Sequence, residues 1–360
     1  MTIVIFVLAA VAAAFALQRY LLANTLKNVR YSSRPSKDIV EPEEEFELIS
    51  EIRNEKWLPE LYIRVSERLP KDTSLPGEAE AWSRKTFYMK PYQRIVSSVS
   101  HTLAKRGRYI LHGAMLTGGD FFGTKTKIQI YSQEREIVVI PKRTDNVDLD
   151  KMMGGFLGDL SVRRFIMPDP VLTIGVREYT GTEPQKDISW AHSARAGQLL
   201  VKRYDHTLEL AAAVMLNLRG NSHVSPEAFE ECLSLCRVVC EQLERKGIKY
   251  SFFTNAVAVG SVRLSGGLVD GLGQGHLLAV LEWLGRATSY AVHESFEKIL
   301  QKALRKAEQG RFHIIITPEQ PEGALRQMIE RLRIITGGEA LIITPSPSKI
   351  IPKNNSENVE

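Results

Sequence analysis

Chemistry-bearing residues crowd most densely between Val176 and Tyr204, VREYTGTEPQKDISWAHSARAGQLLVKRY, a short connector between two apolar, strand-like runs. Asp187, His192 and Ser193 are the residue types of a hydrolytic triad. Triad members usually converge from distant parts of a fold, however, and no nucleophile-elbow pattern surrounds Ser193. Arg177, Asp187 and Arg195 can instead form charge-assisted pairs, while Trp190 offers a broad apolar face and one N–H donor. The expectation is therefore a structural clamp in which Asp187 pairs with Arg195, or a partner-binding surface, with no catalytic residue. An enzyme using Asp187, His192 and Arg195, its site between two domains, is the alternative.

Two other groups invite a chemical reading. Cys232, Cys236 and Cys240 lie four apart in CLSLCRVVC and fall on one helix face with Phe229, Leu233 and Leu243. A zinc site would want a fourth ligand and shorter cysteine spacing, so a buried apolar stripe is expected. The odd cysteine count favours a reducing compartment. The glycine-rich run Ser265 to His276, SGGLVDGLGQGH, could present backbone N–H groups to a phosphate, but it matches neither the P-loop nor the dinucleotide fingerprint. It is expected to be a flexible surface loop. His192, His223, His276, His293 and His313 show no metal-ligand spacing, so no metal or cofactor is expected.

The elements that would position these residues follow from composition and pattern. The 360 residues are 44% hydrophobic and 25% charged, enough for two domains with their own cores. Lys and Arg total 47 against 42 Asp and Glu, a net charge of +5. Without a basic stripe or stacking aromatics that is too mild to indicate nucleic acid, and it fits a modest attraction to anionic lipid better.

Residues 1–18 carry no charged side chain, and Arg19 and Tyr20 follow them. This reads as a transmembrane anchor over residues 1–24, in contact with lipid. Ala14-Phe15-Ala16 loosely matches a signal-peptide cleavage site, but no Lys or Arg precedes the apolar run. Arg19, Lys27, Arg30, Arg34 and Lys37 all lie after it, so the positive-inside rule puts the soluble body of a single-pass membrane protein in the cytoplasm.

Residues 25–145 alternate at period two in EFELISEIRN, ELYIRVSERL, QRIVSSVSHTL, GRYILHGAML, KTKIQIYS and REIVVIPK. Six such runs predict an antiparallel β-sandwich. Residues 146–205 read as a connector, with turns at Met152-Met153-Gly154-Gly155 and Met167-Pro168-Asp169-Pro170. Over 206–345 strands alternate with helices: LELAAAVML, a helix capped by Ser225 and Pro226 and ended at Gly247, IKYSFFTNA, the helices GHLLAVLEWLGRATSYA and HESFEKILQKALRKAEQG, then FHIIIT, a further helix and ALIIT. That pattern predicts a doubly wound parallel sheet. Residues 346–360 read as a flexible tail.

The order Arg177-Glu178-Tyr179, a Gly/Pro turn, Asp187-Ile188-Ser189-Trp190, Ser193-Ala194-Arg195 and Leu199-Leu200-Val201 resembles the signature segment of the domain-of-unknown-function 58 family. Arg106-Gly107-Arg108-Tyr109 and Asp120-Phe121-Phe122-Gly123 resemble the motif pair that precedes it there. The resemblance implies an α+β multidomain chain: a transmembrane helix, an antiparallel β-sandwich, then a doubly wound α/β domain similar to a von Willebrand factor A domain. It also implies protein binding, as an adaptor for a MoxR-type AAA ATPase acting on a membrane-proximal client. An extracytoplasmic adhesion protein is a weaker alternative.

Von Willebrand A domains carry a metal-ion-dependent adhesion site, Asp-x-Ser-x-Ser, after the first strand. The equivalent stretch here is Asn217-Leu218-Arg219-Gly220-Asn221. Asn stands where the Asp would be and Arg where the first Ser would be, so a hard cation loses its anionic oxygens. After the later strand, Thr317 and Pro318 precede Glu319. Asn217, Arg219, Asn221 and Thr317 thus mark a degenerate adhesion site, and the resemblance carries over the fold without the metal.

Overall fold

The computed structural model describes residues 2–70, 73–74, 82–119, 125–144, 147–164, 173–204, 211–219, 224–260, 267–292, 294–305, 311–336 and 338–345. The chain is an α+β protein with an N-terminal apolar helix and several sheets. It divides into two units: unit 1 is Met1–Lys142 with Ala258–Ser261 and Leu281–Ala287, and unit 2 is Arg143–Val257, Val262–Val280 and Thr288–Glu360.

Unit 1 begins with α1 (Thr2–Asn24), followed by β1 (Val29–Pro35), β2 (Ile39–Val40), β3 (Phe46–Asn54), β4 (Glu60–Arg68), β5 (Thr73–Ser74), β6 (Trp82–Met89), β7 (Arg94–Leu103), β8 (Gly107–Gly119) and β9 (Thr126–Val139). At 1.5 Å per residue the 23 residues of α1 span about 34 Å, against a hydrocarbon core of about 30 Å. Its apolar side chains, Phe6 and Phe15 among them, are exposed, so α1 is long and apolar enough to cross a membrane.

The strands form two sheets, ordered β1-β3-β7-β5 and β2-β9-β8-β4-β6. Alternation supplies one buried face to each, and the faces share a core: Tyr31 and Ile52 meet Ile63, Val65 and Leu116, and Phe46 and Leu48 meet Leu111, Ile137 and Val139. Each such side chain contributes about 1.5–3 kcal/mol by leaving water. The runs KTKIQIYS and REIVVIPK, expected as two strands, are one strand, β9. A register shift opposite His112 and Ala114 absorbs the break in alternation. Gly113 sits at that shift because a Cβ there would lie 1.7 Å from the Tyr131 carbonyl oxygen.

Unit 2 holds α2 (Val147–Arg164), β10 (Thr173–Glu178), α3 (Trp190–Ala196), β11 (Leu200–Tyr204), β12 (Ala211–Leu216), α4 (Pro226–Arg245) and β13 (Lys249–Thr254). Further on come β14 (Ala256–Ala258), β15 (Gly267–Gly271), α5 (Gln274–Arg286), β16 (Ala287–Val292), α6 (Phe296–Arg305), β17 (Phe312–Ile316), α7 (Gly323–Thr336) and β18 (Ala340–Ile343), of which Ala258, Leu281–Arg286 and Ala287 are counted with unit 1. The sheet order is β15-β13-β12-β17-β18, with β12 parallel to both β13 and β17 and β17 parallel to β18. Both faces are covered: Ala213, Met215 and Ile315 pack with Phe296, Ile299, Leu300, Ile329 and Leu332 of α6 and α7. The alternate residues Ala212, Val214 and Leu216 are equally buried, and α4 also packs on this sheet. Ser225 caps α4, its Oγ accepting from the Ala228 N–H at 3.1 Å, with Pro226 at the first turn and Gly247 in the left-handed region after the end.

Three expectations are corrected here. The turn expected at Met152–Gly155 lies inside α2: Leu149, Met153 and Leu157 recur every four residues and are buried, and that stripe outweighs the glycine penalty. The helix expected through Ala291 ends at Arg286, and β-prone Thr288 to Val292 continue as β16. The glycine run is not simply a loop. Residues 267–271 pair antiparallel with β13 as an edge strand of the parallel sheet, and Asp270 forms a fork with Arg311, 2.8 Å from Oδ1 to Nη1. Asp120–Gly123, Met167–Pro170, Asn221, His223, His293 and the tail lie outside the described residues.

Candidate functional site

The signature segment folds as a hairpin closed on itself. β10 and β11 pair antiparallel, and a short 3-10 turn (Gln185–Asp187) and α3 fill the connection. Ser193 staples α3 to β11: its buried Oγ accepts the Leu200 N–H at 2.8 Å and donates back to the Leu200 carbonyl at 3.3 Å. The Ser189 N–H also reaches the Leu200 carbonyl, and Tyr179 N–H reaches that of Leu199. Gly197, at φ 70°, ends α3 in the left-handed conformation.

Asp187 and Arg195, expected to pair with each other, do not. Arg195 is exposed and forms no ion pair among the described residues, so the Asp187–Arg195 clamp is corrected. Its place on the outer face of α3 aims it at solvent. Arg177 pairs with Glu183 at 2.7 Å, a residue the sequence reading passed over. Glu183 also accepts from the Thr180 hydroxyl and N–H. These bonds, the hydroxyl first, and the Arg177 charge hold its carboxyl at about 2. Ser189 Oγ lies 2.9 Å from His192 Nδ1. With Ser193 engaged by Leu200 and His192 by Ser189, the three triad residue types are not aligned for proton transfer. Trp190, 66% exposed, opens α3, and the exposed Arg195 follows five residues on, near its end. A cavity of about 230 Å³ lined by Trp82, His112, Tyr131 and Glu134 includes no signature residue.

At the carboxyl end of the parallel sheet, Asn217, Asn255 and Thr317 follow the adjacent strands β12, β13 and β17 and are all buried. Asn255 Nδ2 donates to Asn217 Oδ1 at 2.7 Å, and Asn217 Nδ2 donates to Thr317 Oγ1 at 3.2 Å. Asn217 Oδ1 also accepts the Arg219 N–H, and Asn255 Oδ1 accepts the Leu218 N–H. Amides and a hydroxyl thus bond to one another where open α/β sheets present ligand groups. Asn255 was missed because nothing in the strand pattern distinguishes it from a turn residue. Among the described residues no three His, Cys, Asp or Glu cluster closely enough for a metal. Cys232, Cys236 and Cys240 are buried in α4, and burial pushes the Cys232 thiol up to about 12.

Two further polar assemblies lie in unit 1. Arg106 Nη1 donates to the carbonyls of Leu284, Gly285 and Ala287, capping the end of α5. Glu136 bridges Arg108 and Arg286, which hold its carboxyl at about 2. The Arg-Gly-Arg of the first family-like motif is thereby accounted for. At the base of α1, Lys56 Nζ contacts the Asn24 carbonyl and pairs with Glu60, whose Oε1 accepts the Leu26 N–H at 2.9 Å. Lys127 Nζ donates to the Ala23 carbonyl at 2.8 Å. Leu26 and Asn28 adopt left-handed φ of 61° and 51°, conformations that persist only where the surroundings over-determine them. The spacing of Lys56 and Glu60, four apart, was the one available signal, and it reads as a helix-surface pair.

No family model matches the chain, and no curated protein matches it. Among solved structures it is similar to a CARDB domain from Pyrococcus furiosus in complex with di-metal ions, at 13% identity over 32% of this chain and 96% of that one, TM-score 0.21. A β-glucosidase from Erythrobacter marinus matches at 11% identity over 31% of this chain and 15% of that one, TM-score 0.19. An alkylpurine DNA glycosylase from Pseudomonas fluorescens, bound to DNA containing an abasic-site analogue, matches at 11% identity over 31% of each chain, TM-score 0.21. At these scores none carries an argument about function.

Proposed function

We propose that the chain is a membrane-anchored protein-binding adaptor of the domain-of-unknown-function 58 type. In this reading residues 1–24 are a single transmembrane anchor with the body in the cytoplasm, 25–145 a β-sandwich, and 206–345 a von Willebrand A-like domain with a degenerate adhesion site. Its partner is a MoxR-type AAA ATPase, which it brings to a membrane-proximal client. The observation that carries the reading is that Trp190 and Arg195 both stand exposed on a helix held to β11 by Ser193. Trp and Arg dominate protein-binding hot spots, and a pre-ordered pair loses little entropy on docking.

Crosslinking and pull-down from membranes tests it. The parent chain should capture an AAA ATPase, and Trp190→Ala with Arg195→Ala should lose it while melting like the parent. Capture unaffected by both changes would refute this surface as the docking site. A turnover lost on Arg195→Ala would instead put the enzyme reading first.

A further inference from the structure

We propose that the loop carrying Trp57 and the turn carrying Tyr92 form a second membrane contact, lying in the headgroup layer beside the anchor. The inference rests on the reading of α1 as a membrane span and adds to it a fixed seat on the lipid surface.

The loop is bound to the foot of α1 by three contacts. Lys56 Nζ meets the Asn24 carbonyl, Glu60 takes the Leu26 N–H, and the Glu55 N–H donates to the Asn28 carbonyl at 2.9 Å. The turn at Tyr92 is bound to that loop in turn: the Tyr92 N–H donates to the Lys56 carbonyl at 3.2 Å, and Asn54 Nδ2 bridges the Leu58 and Lys90 carbonyls at 2.9 and 3.0 Å. Trp57 nevertheless remains 63% exposed and Tyr92 72% exposed, Tyr92 at a left-handed φ of 54°. A protein that buries Glu60 at this junction leaves two large aromatics beside it in the open.

Depth argues for lipid as the occupant. Twenty residues of α1 suffice for a hydrocarbon core of about 30 Å, which puts Arg19 and Tyr20 near its edge and Asn24 about one turn beyond. Trp57 and Tyr92 are held at that level, where Trp and Tyr are favoured because an apolar ring and a polar tip face the two phases at once. Lys27, just after α1, and Lys90, two residues before Tyr92, are exposed and supply charge for anionic headgroups. The surface is continuous with the span, and no flexible linker separates them.

The test places a nitroxide at residue 57 (Trp57→Cys), residue 92 (Tyr92→Cys) or residue 8 (Leu8→Cys) of the full chain in phosphatidylcholine–phosphatidylserine vesicles. The native cysteines are buried in α4, so the label goes to the new site. Relaxation by dissolved oxygen and by a water-soluble nickel chelate then reports depth. The expected result is a label at 8 deep in the bilayer and labels at 57 and 92 in the headgroup layer, with nickel access reduced several-fold relative to detergent-free water. A deep label at 8 with freely nickel-accessible labels at 57 and 92 overturns the inference and leaves the anchor standing. Protection at 57 and 92 with spin–spin broadening indicates a second copy on the patch and likewise overturns it. A water-exposed label at 8 overturns the anchor reading, and this inference with it.

Discussion

The buried Lys56–Glu60 pair makes the join between α1 and the sheets testable in isolation. Glu60 is 1% and Lys56 8% exposed, and between them they serve the Asn24 carbonyl and the Leu26 N–H. Lys56→Met leaves a carboxylate in the interior with its cation gone, and Glu60→Leu leaves an ammonium and an amide without their acceptor. Breaking a buried pair from one side costs about 3–5 kcal/mol. Within that range Glu60→Leu should be the worse, because the Leu26 N–H is orphaned as well, at about 1–3 kcal/mol. The double variant removes both charges together and should cost markedly less than the two single changes summed, as a coupled pair requires. Denaturant unfolding of the detergent-solubilised chain, followed by β-sheet circular dichroism, measures all three. Single variants within about 1 kcal/mol of the parent, or a double variant as costly as the sum, would refute the reasoning.

The remaining predictions concern other parts of the molecule. Ser193→Ala should destabilise the signature hairpin by about 1–3 kcal/mol and speed amide exchange at Leu200, whereas Trp190→Ala and Arg195→Ala should stay within about 0.5 kcal/mol of the parent. Equal losses from all three would contradict the division between staple and display. Burial holds His101 neutral, at about 4 against 6.5 unfolded. Its contribution is complete above pH 6.5 and drains away as pH falls toward 4, about 3 kcal/mol in all. His101→Leu should therefore flatten part of the acid limb of a stability–pH profile, and an unchanged profile would count against it. Magnesium or manganese should leave melting unmoved, since the Asn217–Asn255–Thr317 groups satisfy one another. A specific ion at a hundred times its dissociation constant would add about 2.7 kcal/mol, so a shift reversed by chelation would show the reading to be wrong.

Where one interaction dominates locally, the amino-acid order was sufficient. An apolar run of this length is helical wherever it meets lipid, and Thr2–Asn24 is a helix long and apolar enough to cross a membrane. Period-two alternation marked β3, β4, β7 and β8, and Ser225, Pro226 and Gly247 bounded α4 because capping is settled within a turn.

Tertiary structure decided whatever depends on partners distant in sequence. The glycine run became β15 because β13 offered an open edge, a fact with no local signature. The Asp187–Arg195 pair, natural on paper, fails because α3 turns Arg195 outward while Glu183, held by Thr180, takes Arg177. Glu60 lies 34 residues from Leu26, and Asn255 38 residues from Asn217, yet each pair is within hydrogen-bond reach. Local sequence carries the energy of turns, caps and periodicity. Burying a polar group is decided only when the fold brings its partner to it, and that is where the junction at the foot of α1, the closed sheet end and the outward turn of Arg195 were determined.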